Sequence, residues 1–273
     1  MWWSTNAHLL SPNFSSPMTS TSRVLPILKL IRVALLPTAA ADVLVGFFLT
    51  LPPGAYWDYL DPLGLVLIAI CLYAAGVGSN SLIDFKHDLH HYPHRVLPTG
   101  QLSRRQAVVF LAVLVAVAGM RAIMFGRETV KATALLILAI CLYNLILKRL
   151  SWVSPLGMGS CRFLNVCLGL SLAHHSPLQA PFWTSGTFFY PLMVGIYAIA
   201  ITIWSLAEDA RSQKIPMLTG SIGIMGVWVA VAVWSGFEHG SHAIPILALA
   251  IWVGPNLIRQ SLKAKQGAVM KTD

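Results

Sequence analysis

The stretch NSLIDFKHDLHHYPHRVLPTG, residues 80–100, follows an apolar run and concentrates polar side chains where that run stops. It holds two aspartates, four histidines, a lysine and an arginine, although the whole chain has only ten acidic residues. Asn80, Asp84 and Asp88 are spaced i, i+4, i+8, so a helix would project all three from one face across two turns. Such oxygen ligands suit Mg²⁺, which leaves open positions for phosphate oxygens. The alternative interpretation is a solvated helix end that is acidic without binding a metal.

The rest of the chain is apolar enough to be a multi-pass membrane protein. Hydrophobic residues make up 56% of the 273 residues and charged residues only 11%, and the mean hydropathy is +0.68. A soluble domain usually carries about 25% charged residues. Apolar runs of nearly membrane-spanning length predict an all-α transmembrane bundle of eight spans. These are residues 31–50, 63–83, 106–124, 130–148, 154–173, 188–207, 217–235 and 242–258.

The basic residues predict how the bundle is oriented. Most of the 19 lysines and arginines lie in alternate connections between the spans, and such segments usually stay in the cytoplasm. We therefore expect both termini and the connections 84–105, 148–154 and 208–216 on the cytoplasmic side of a bacterial inner membrane. Because the net charge of +9 is spread between apolar runs, it indicates membrane lipids rather than nucleic acid as the partner. Residues 1–22 are interpreted as a disordered extension, 23–260 as the membrane domain and 261–273 as a polar basic tail.

Several motifs resemble those of a known family. NSLIDFKHD followed by RVLPTGQLS resembles the first aspartate-rich motif of the UbiA superfamily of intramembrane prenyltransferases, which includes 4-hydroxybenzoate polyprenyltransferases. Arg32 at the start of the first span, and Tyr143 with Lys148 and Arg149 at the end of the fourth, also resemble family features. GSCRFLNVCLG, residues 159–169, is similar to a divergent EboC-like branch encoded in bacterial ebo gene clusters.

The resemblance implies a helical bundle around a central cavity that opens to the bilayer. Mg²⁺ held by two acidic motifs would bind a polyprenyl diphosphate, and the prenyl group would pass to a small-molecule acceptor, often an aromatic ring. Asn80, Asp84 and Asp88 would be metal ligands, with the two aspartates catalytic. Arg95, Lys148 and Arg32 would contact the diphosphate. Arg32, Arg95 and the pair Lys148–Arg149 have a second interpretation as membrane anchors, and Tyr143 as an interfacial aromatic residue.

The chain also departs from the family pattern. The first motif has Ser81 where the family usually has aspartate. The family usually has nine spans, whereas no ninth span is visible after residue 258. The second acidic motif, expected in residues 200–216, offers only Glu208 and Asp209. Adjacent residues project about 100° apart on a helix. Glu208, predicted to be catalytic, and Asp209 are therefore either metal ligands or a helix-end cluster paired with Arg211 and Lys214.

Two functions consequently stay open. The first is Mg²⁺-assisted prenyl transfer, and the second is a catalytically degenerate protein that binds or passes along an isoprenoid or aromatic metabolite. An unrelated transporter would leave the motif of residues 80–103 unexplained. The sequence favours neither an acceptor, nor a prenyl chain length, nor an oligomeric state.

The histidines of the opening stretch suggest a second kind of metal site. His87, His91 and His94 would share a helix face and form a zinc or copper site. Pro93 argues against a helix through that point. A solvated, basic loop is therefore the favoured interpretation.

Overall fold

The computed structural model of the protein describes residues 21–51, 56–150, 152–172, 188–209 and 214–239, and their side chains over 24–51, 56–150, 152–172, 188–206 and 218–234. All regular structure in these ranges is helical. The α-helices are α1 (Thr21–Leu30), α2 (Leu36–Phe48), α3 (Leu60–Ile83), α4 (Phe85–His91), α5 (Arg104–Phe125), α6 (Arg127–Leu145), α7 (Ser154–Leu170), α8 (Phe189–Asp209) and α9 (Lys214–His239). Short 3₁₀ turns follow α1 (Val33–Leu35) and α6 (Leu147–Arg149).

The length and composition of these helices suit a membrane protein. Within the described residues four helices are apolar and long enough to cross a bilayer, or five if α1 and α2 are taken as one bent span. The four lie at Leu60–Ile83, Arg104–Phe125, Arg127–Arg149 and Phe189–Leu206. Large apolar side chains such as Val109, Met120 and Leu138 are exposed on their outer faces. The protein is therefore an all-α, multi-pass membrane protein.

Seven of the eight predicted spans coincide with helices, and the eighth, residues 242–258, lies outside the described residues. The first span, predicted over 31–50, corresponds to Val33–Phe48, and a bend precedes it. The chain bends by 51° between Val24–Leu30 and Val33–Phe48, and Arg32 at the bend has left-handed backbone angles (φ 49°, ψ 57°). A non-glycine residue pays a steric penalty of roughly 1–2 kcal/mol there, so surrounding contacts must hold the bend. Of the predicted N-terminal extension, residues 1–22, only Thr21 and Ser22 are described, at the start of α1, and the predicted tail 261–273 lies outside the described residues.

Helix α3 is the centre of the bundle. It contacts α2, α5, α6 and α7, while α8 packs between α7 and α9. The core consists of buried apolar side chains from the five helices α2, α3, α5, α6 and α7, among them Val43, Leu65, Ile68, Ala118 and Leu168. This packing brings the carboxyl ends of α3 and α6 together.

Two glycines allow α2 and α7 to approach closely. A Cβ atom on Gly46 would collide with the Val166 carbonyl, and one on Gly169 with the Val43 carbonyl. Because the obstructing atoms belong to the backbone, neither side could yield by changing a rotamer. Small residues at such crossings let transmembrane helices pack backbone to backbone. The contact sets α2 and α7 in register and faces their polar residues toward each other.

Candidate active site

The acidic stretch lies where α3 gives way to α4. The Asp84 amide donates to the Asn80 carbonyl at 3.0 Å and the Asp88 amide to the Asp84 carbonyl at 2.9 Å, so helical hydrogen bonding continues through the junction. The prediction of one regular helix is nevertheless wrong at Asp84, whose ψ of 6° ends α3 and begins α4. The predicted spacing is kept, but Asp88 belongs to the second, shorter helix.

Asn80 and Asp84 converge on one cation. Lys148 Nζ donates to Asn80 Oδ1 at 2.5 Å and to Asp84 Oδ1 at 2.7 Å. Its side chain is 13% exposed and that of Asp84 is 32% exposed. Two oxygens that meet at a single ammonium group lie close enough to share one positive charge. The ion pair of Lys148 with Asp84 thus joins the carboxyl end of α3 to the 3₁₀ turn after α6.

An asparagine that sequence analysis missed holds this pair in place. The Asn144 side-chain amide donates to the Gly76 carbonyl at 2.8 Å and to Ser79 Oγ at 2.9 Å. It is buried and ties the last turn of α6 to the last turns of α3. One feature of the sequence could have indicated it: Asn144 is an amide residue within an apolar run, one turn before Lys148. A polar side chain in the membrane needs a hydrogen-bonding partner.

Asp88 is held separately from Asn80 and Asp84. Arg95 Nη1 donates to both of its carboxylate oxygens, at 2.7 and 2.8 Å, and Asp88 is only 2% exposed. The Arg95 guanidinium also lies 4.2 Å above the Tyr92 ring. Ser103 then starts α5 with a reciprocal pair of hydrogen bonds to Gln106. The motif RVLPTGQLS therefore folds into a loop that returns its arginine to the aspartate seven residues earlier.

A small basic cavity adjoins Asp88. It has a volume of about 170 Å³ and is lined chiefly by polar residues, namely Lys29, Arg32, Ser81, Asp88, His94 and Arg95. Three of these side chains carry a positive charge and one a negative charge. Leu30 and Leu97, both buried, pack α1 against the loop and also line the basic cavity. The excess of positive charge favours an anion.

A larger and mostly apolar cavity, the inner cavity, lies among α3, α6 and α7. It has a volume of about 280 Å³ and also reaches Asn80. Its apolar lining includes Ala69, Leu136, Ile140 and Met158, and its aromatic lining Tyr73 and Tyr143. Arg32 lines both cavities. The strained bend at Arg32 thus places one guanidinium at the junction of a basic site and an apolar one.

The remaining residues singled out in the sequence make no described contact with Asn80, Asp84 or Lys148. Arg149 is exposed, as a membrane anchor would be. The four histidines of residues 87–94 are exposed, with the His87 and His91 rings stacked at 4.2 Å. α4 ends at His91, before Pro93, as predicted. Among the described residues no three His, Cys, Asp or Glu side chains group as metal ligands. Glu208 and Asp209 close α8, and their side chains lie outside the described set.

The structure reveals a second buried ion pair, which the sequence analysis did not predict. Arg162 Nη1 lies 2.9 Å from Asp42 Oδ2, and the Asn165 amide donates to the Ala39 carbonyl at 2.8 Å and to Asp42 Oδ2 at 3.4 Å. Arg162 and Asn165 line the inner cavity. Arg162 is a charged residue inside the predicted fifth span, 154–173. Nothing in the sequence paired it with an aspartate 120 residues away.

Comparisons with known proteins agree with this architecture. A sequence comparison with curated proteins finds no significant match. The fold is similar to a structure described under the biosynthesis of digeranylgeranylglyceryl phosphate synthase in membranes (TM-score 0.61, 16% identity, covering 90% of this chain and 88% of that chain). It is also similar to a UbiA homologue from Archaeoglobus fulgidus bound to GPP and Mg²⁺ (TM-score 0.60, 17% identity, 87% and 84% covered).

A third similar structure is the apo form of a UbiA homologue from Aeropyrum pernix K1 (TM-score 0.61, 15% identity, 88% and 92% covered). At these identities the likeness concerns the fold. The sequence itself matches the UbiA prenyltransferase family over residues 35–266, which is most of the chain and includes the Asn80–Asp88 stretch, Arg95 and Lys148. The chain therefore belongs to the UbiA prenyltransferase family.

Proposed function

We propose that the protein transfers a prenyl group from a polyprenyl diphosphate to an acceptor, an aromatic one by preference, with the help of Mg²⁺. The observation that carries this proposal is the convergence of Asn80 and Asp84 on one cation, at the place where a basic cavity adjoins an apolar one. A polyprenyl diphosphate has the same two parts, a charged head and an apolar tail.

The residues present fit a divalent cation. Asn80 Oδ1 and Asp84 Oδ1 both accept a hydrogen bond from the Lys148 ammonium group. These two oxygens therefore already surround one positive charge, as they would surround a metal ion. Amide and carboxylate oxygens are ligands that Mg²⁺ accepts, with its remaining positions left to water and phosphate oxygens. Asp88, which Arg95 binds in this structure, is the third candidate ligand. It would be available to the metal ion if Arg95 bound the diphosphate instead. Glu208 and Asp209 are the candidates for a second acidic site. Bound Mg²⁺ would neutralise charge on the leaving diphosphate.

The chain's own cations take part in the same task. Lys148, Arg95 and Arg32 line or adjoin the two cavities, and each can donate hydrogen bonds to diphosphate oxygens. Preorganised donors aimed at developing negative charge stabilise the transition state for cleavage of the allylic C–O bond. The apolar lining of the inner cavity excludes water, which would otherwise trap the prenyl cation. We place this chemistry at the cytoplasmic side of a bacterial inner membrane because the basic connections crowd that side.

One observation favours a second candidate function. Asp84 and Asp88 are each paired with a basic residue of the same chain, Lys148 and Arg95 respectively. Together with the two adjacent acids at Glu208 and Asp209, this arrangement fits a degenerate protein that binds an isoprenoid or aromatic metabolite without reacting. The two functions differ in whether pyrophosphate is released.

The test is release of pyrophosphate from labelled geranyl diphosphate by the purified protein in the presence of Mg²⁺ and candidate acceptors. We expect Asp84→Asn to lower the rate about 100-fold or more, because it removes a charged ligand at the site of charge development. Asp61→Asn is the matched control, since Asp61 lies in the first turn of the same helix, at its opposite end. Equal rates for both variants would overturn the metal-site proposal. An unaltered protein that binds the diphosphate without releasing pyrophosphate would establish the degenerate function.

A further inference from the structure

The histidines of α4 form a cluster that the proposed diphosphate chemistry does not use. His87 and His91 are one helical turn apart, and their rings stack with centroids 4.2 Å apart and an interplanar angle of 12°. α4 ends at His91, so His94 lies beyond the helix. The His94 ring instead meets the Tyr92 ring edge-on. Of the three histidines predicted to share one helix face, two therefore remain together.

The spacing of this histidine pair suits a metal ion. Residues four apart on a helix have Cβ atoms about 5–6 Å apart, and helical zinc sites use two histidines at this spacing. Imidazole nitrogens suit Zn²⁺, Cu²⁺ and Ni²⁺, whereas Mg²⁺ prefers oxygen ligands. Parallel rings need a small rotation to aim both nitrogens at one ion. Both side chains are exposed, that of His87 by 61%, so they have room to make it.

Each ring of the pair directs its Nδ1 atom at an oxygen that can only accept a hydrogen bond. His91 Nδ1 lies 3.1 Å from the His87 carbonyl oxygen, and His87 Nδ1 lies 3.9 Å from Asp88 Oδ1. These oxygens favour the ring proton on Nδ1, which leaves a lone pair on each Nε2. Metal-binding histidines have the same arrangement, because one nitrogen donates to a carbonyl or carboxylate while the other binds the ion.

The acid next to His87 indicates a structural metal ion rather than a hydrolytic one. Helical zinc hydrolases have a carboxylate at this position as general base. Asp88 occupies it, but both of its oxygens accept hydrogen bonds from Arg95, at 2.7 and 2.8 Å. α4 has only seven residues, and isolated helices shorter than about 12–15 residues are marginally stable in water. An ion that bridges one turn of α4 would therefore stabilise it.

We propose that His87 and His91 bind one divalent transition-metal ion, of the class of Zn²⁺, Cu²⁺ and Ni²⁺, through their Nε2 atoms. This site is separate from the proposed Mg²⁺ site at Asn80 and Asp84. The ion bridges one turn of the helix that carries Asp88 and uses neither of the Asp88 oxygens. Water fills the coordination positions that the two imidazoles leave open. The binding requires neither a diphosphate nor prenyl transfer, so it does not depend on the proposed function.

The test is calorimetric titration of the purified, untagged full chain with Zn²⁺ in an excess of Mg²⁺, which competes for oxygen ligands. We expect one Zn²⁺ ion per chain, and binding at least about tenfold weaker in His87→Gln and in His91→Gln, since only one imidazole of the pair remains. His90→Gln is the matched control and should bind Zn²⁺ like the unaltered protein. His90 lies on the same helix with its Nδ1 atom 2.9 Å from the Lys86 carbonyl, but it is not part of the stacked pair.

A second measurement reports on α4 itself. Zn²⁺ should slow amide hydrogen exchange across residues 85–92 in the unaltered protein and in Asp84→Asn, but not in His91→Gln. The proposal is overturned if the unaltered protein binds no Zn²⁺ in excess Mg²⁺, if His90→Gln loses as much affinity as His91→Gln, or if Zn²⁺ leaves exchange across α4 unchanged. Loss of Zn²⁺ binding in Asp84→Asn would place the ion at the oxygen site and would overturn it as well.

Discussion

Two ion pairs next to residues of the inner cavity, Lys148–Asp84 beside Asn80 and Arg162–Asp42 beside Asn165, are held in different settings. Lys148 and Asp84 are 2.7 Å apart, and the Asp84 side chain is about one-third exposed. Arg162 and Asp42 are 2.9 Å apart, the Asp42 side chain is 8% exposed, and Asn165 and Thr38 make further hydrogen bonds to this pair. The first pair has few other contacts, so its charges can exchange partners with a ligand. The second has additional hydrogen bonds to Asn165 and Thr38, so it is the more tightly fixed of the two.

The largest expected effect on the rate of prenyl transfer distinguishes Lys148, the partner of Asp84, from its sequence neighbour Arg149. Lys148→Ala should reduce prenyl transfer about 100-fold, because it removes a preorganised donor for the leaving diphosphate. Arg149→Ala should leave the rate nearly unchanged, since Arg149 is exposed and it is Lys148 that bonds to Asn80 and Asp84. Steady-state rates at saturating Mg²⁺ measure both variants. Equal losses would mean that the two residues act only through the charge of the membrane surface.

The next effect compares a buried ion pair with an exposed one of the same length. Arg95 and Asp88 are 2.7 Å apart with Asp88 buried, whereas Lys131 and Glu128 are 2.7 Å apart with both side chains exposed. Arg95→Ala should lower the free energy of unfolding in detergent by about 3 kcal/mol, because it leaves a buried carboxylate unpaired. Lys131→Ala should change it by less than about 1 kcal/mol. Chemical denaturation of the two variants checks the difference, and similar values would show that Asp88 is hydrated.

The smallest expected effect concerns the glycines at the crossing of α2 and α7, beside the Arg162–Asp42 pair. Gly46→Ala should destabilise the protein by roughly 1–3 kcal/mol, because the added methyl group meets the backbone of α7. Gly119→Ala in α5 has open space around it and should stabilise by up to about 1 kcal/mol through higher helix propensity. Thermal unfolding of both variants in the same detergent distinguishes them. A stabilising Gly46→Ala would mean that α2 and α7 pack less closely than described.

How much of this was visible in the sequence depends on how local each contact is. Asp88 and Arg95 lie seven residues apart in one motif, so spacing and resemblance indicated both as candidate site residues, though not as an ion pair. Lys148 was indicated by the family resemblance, and Asn80 and Asp84 by their helical spacing, again without their contact to each other. The helices themselves followed from apolar runs of membrane-spanning length.

The remainder depends on contacts between distant parts of the chain. Asp42 and Arg162 meet only because α2 and α7 cross at two glycines, and no local pattern specifies that crossing. The bend at Arg32 lies at the edge of the first predicted span, and apolar composition does not specify a change of direction there. Asn144 acts through carbonyl and hydroxyl groups of α3, which apolar periodicity does not record.

Binding of geranyl diphosphate to the purified protein, titrated calorimetrically with and without Mg²⁺, tests most directly whether Asn80 and Asp84 form a metal-dependent diphosphate site. We predict that Mg²⁺ strengthens binding at least about tenfold for the unaltered protein and for Asp61→Asn, and that Asp84→Asn loses this dependence. Binding that is equally tight without Mg²⁺, or that keeps its full Mg²⁺ dependence in Asp84→Asn, would contradict the account.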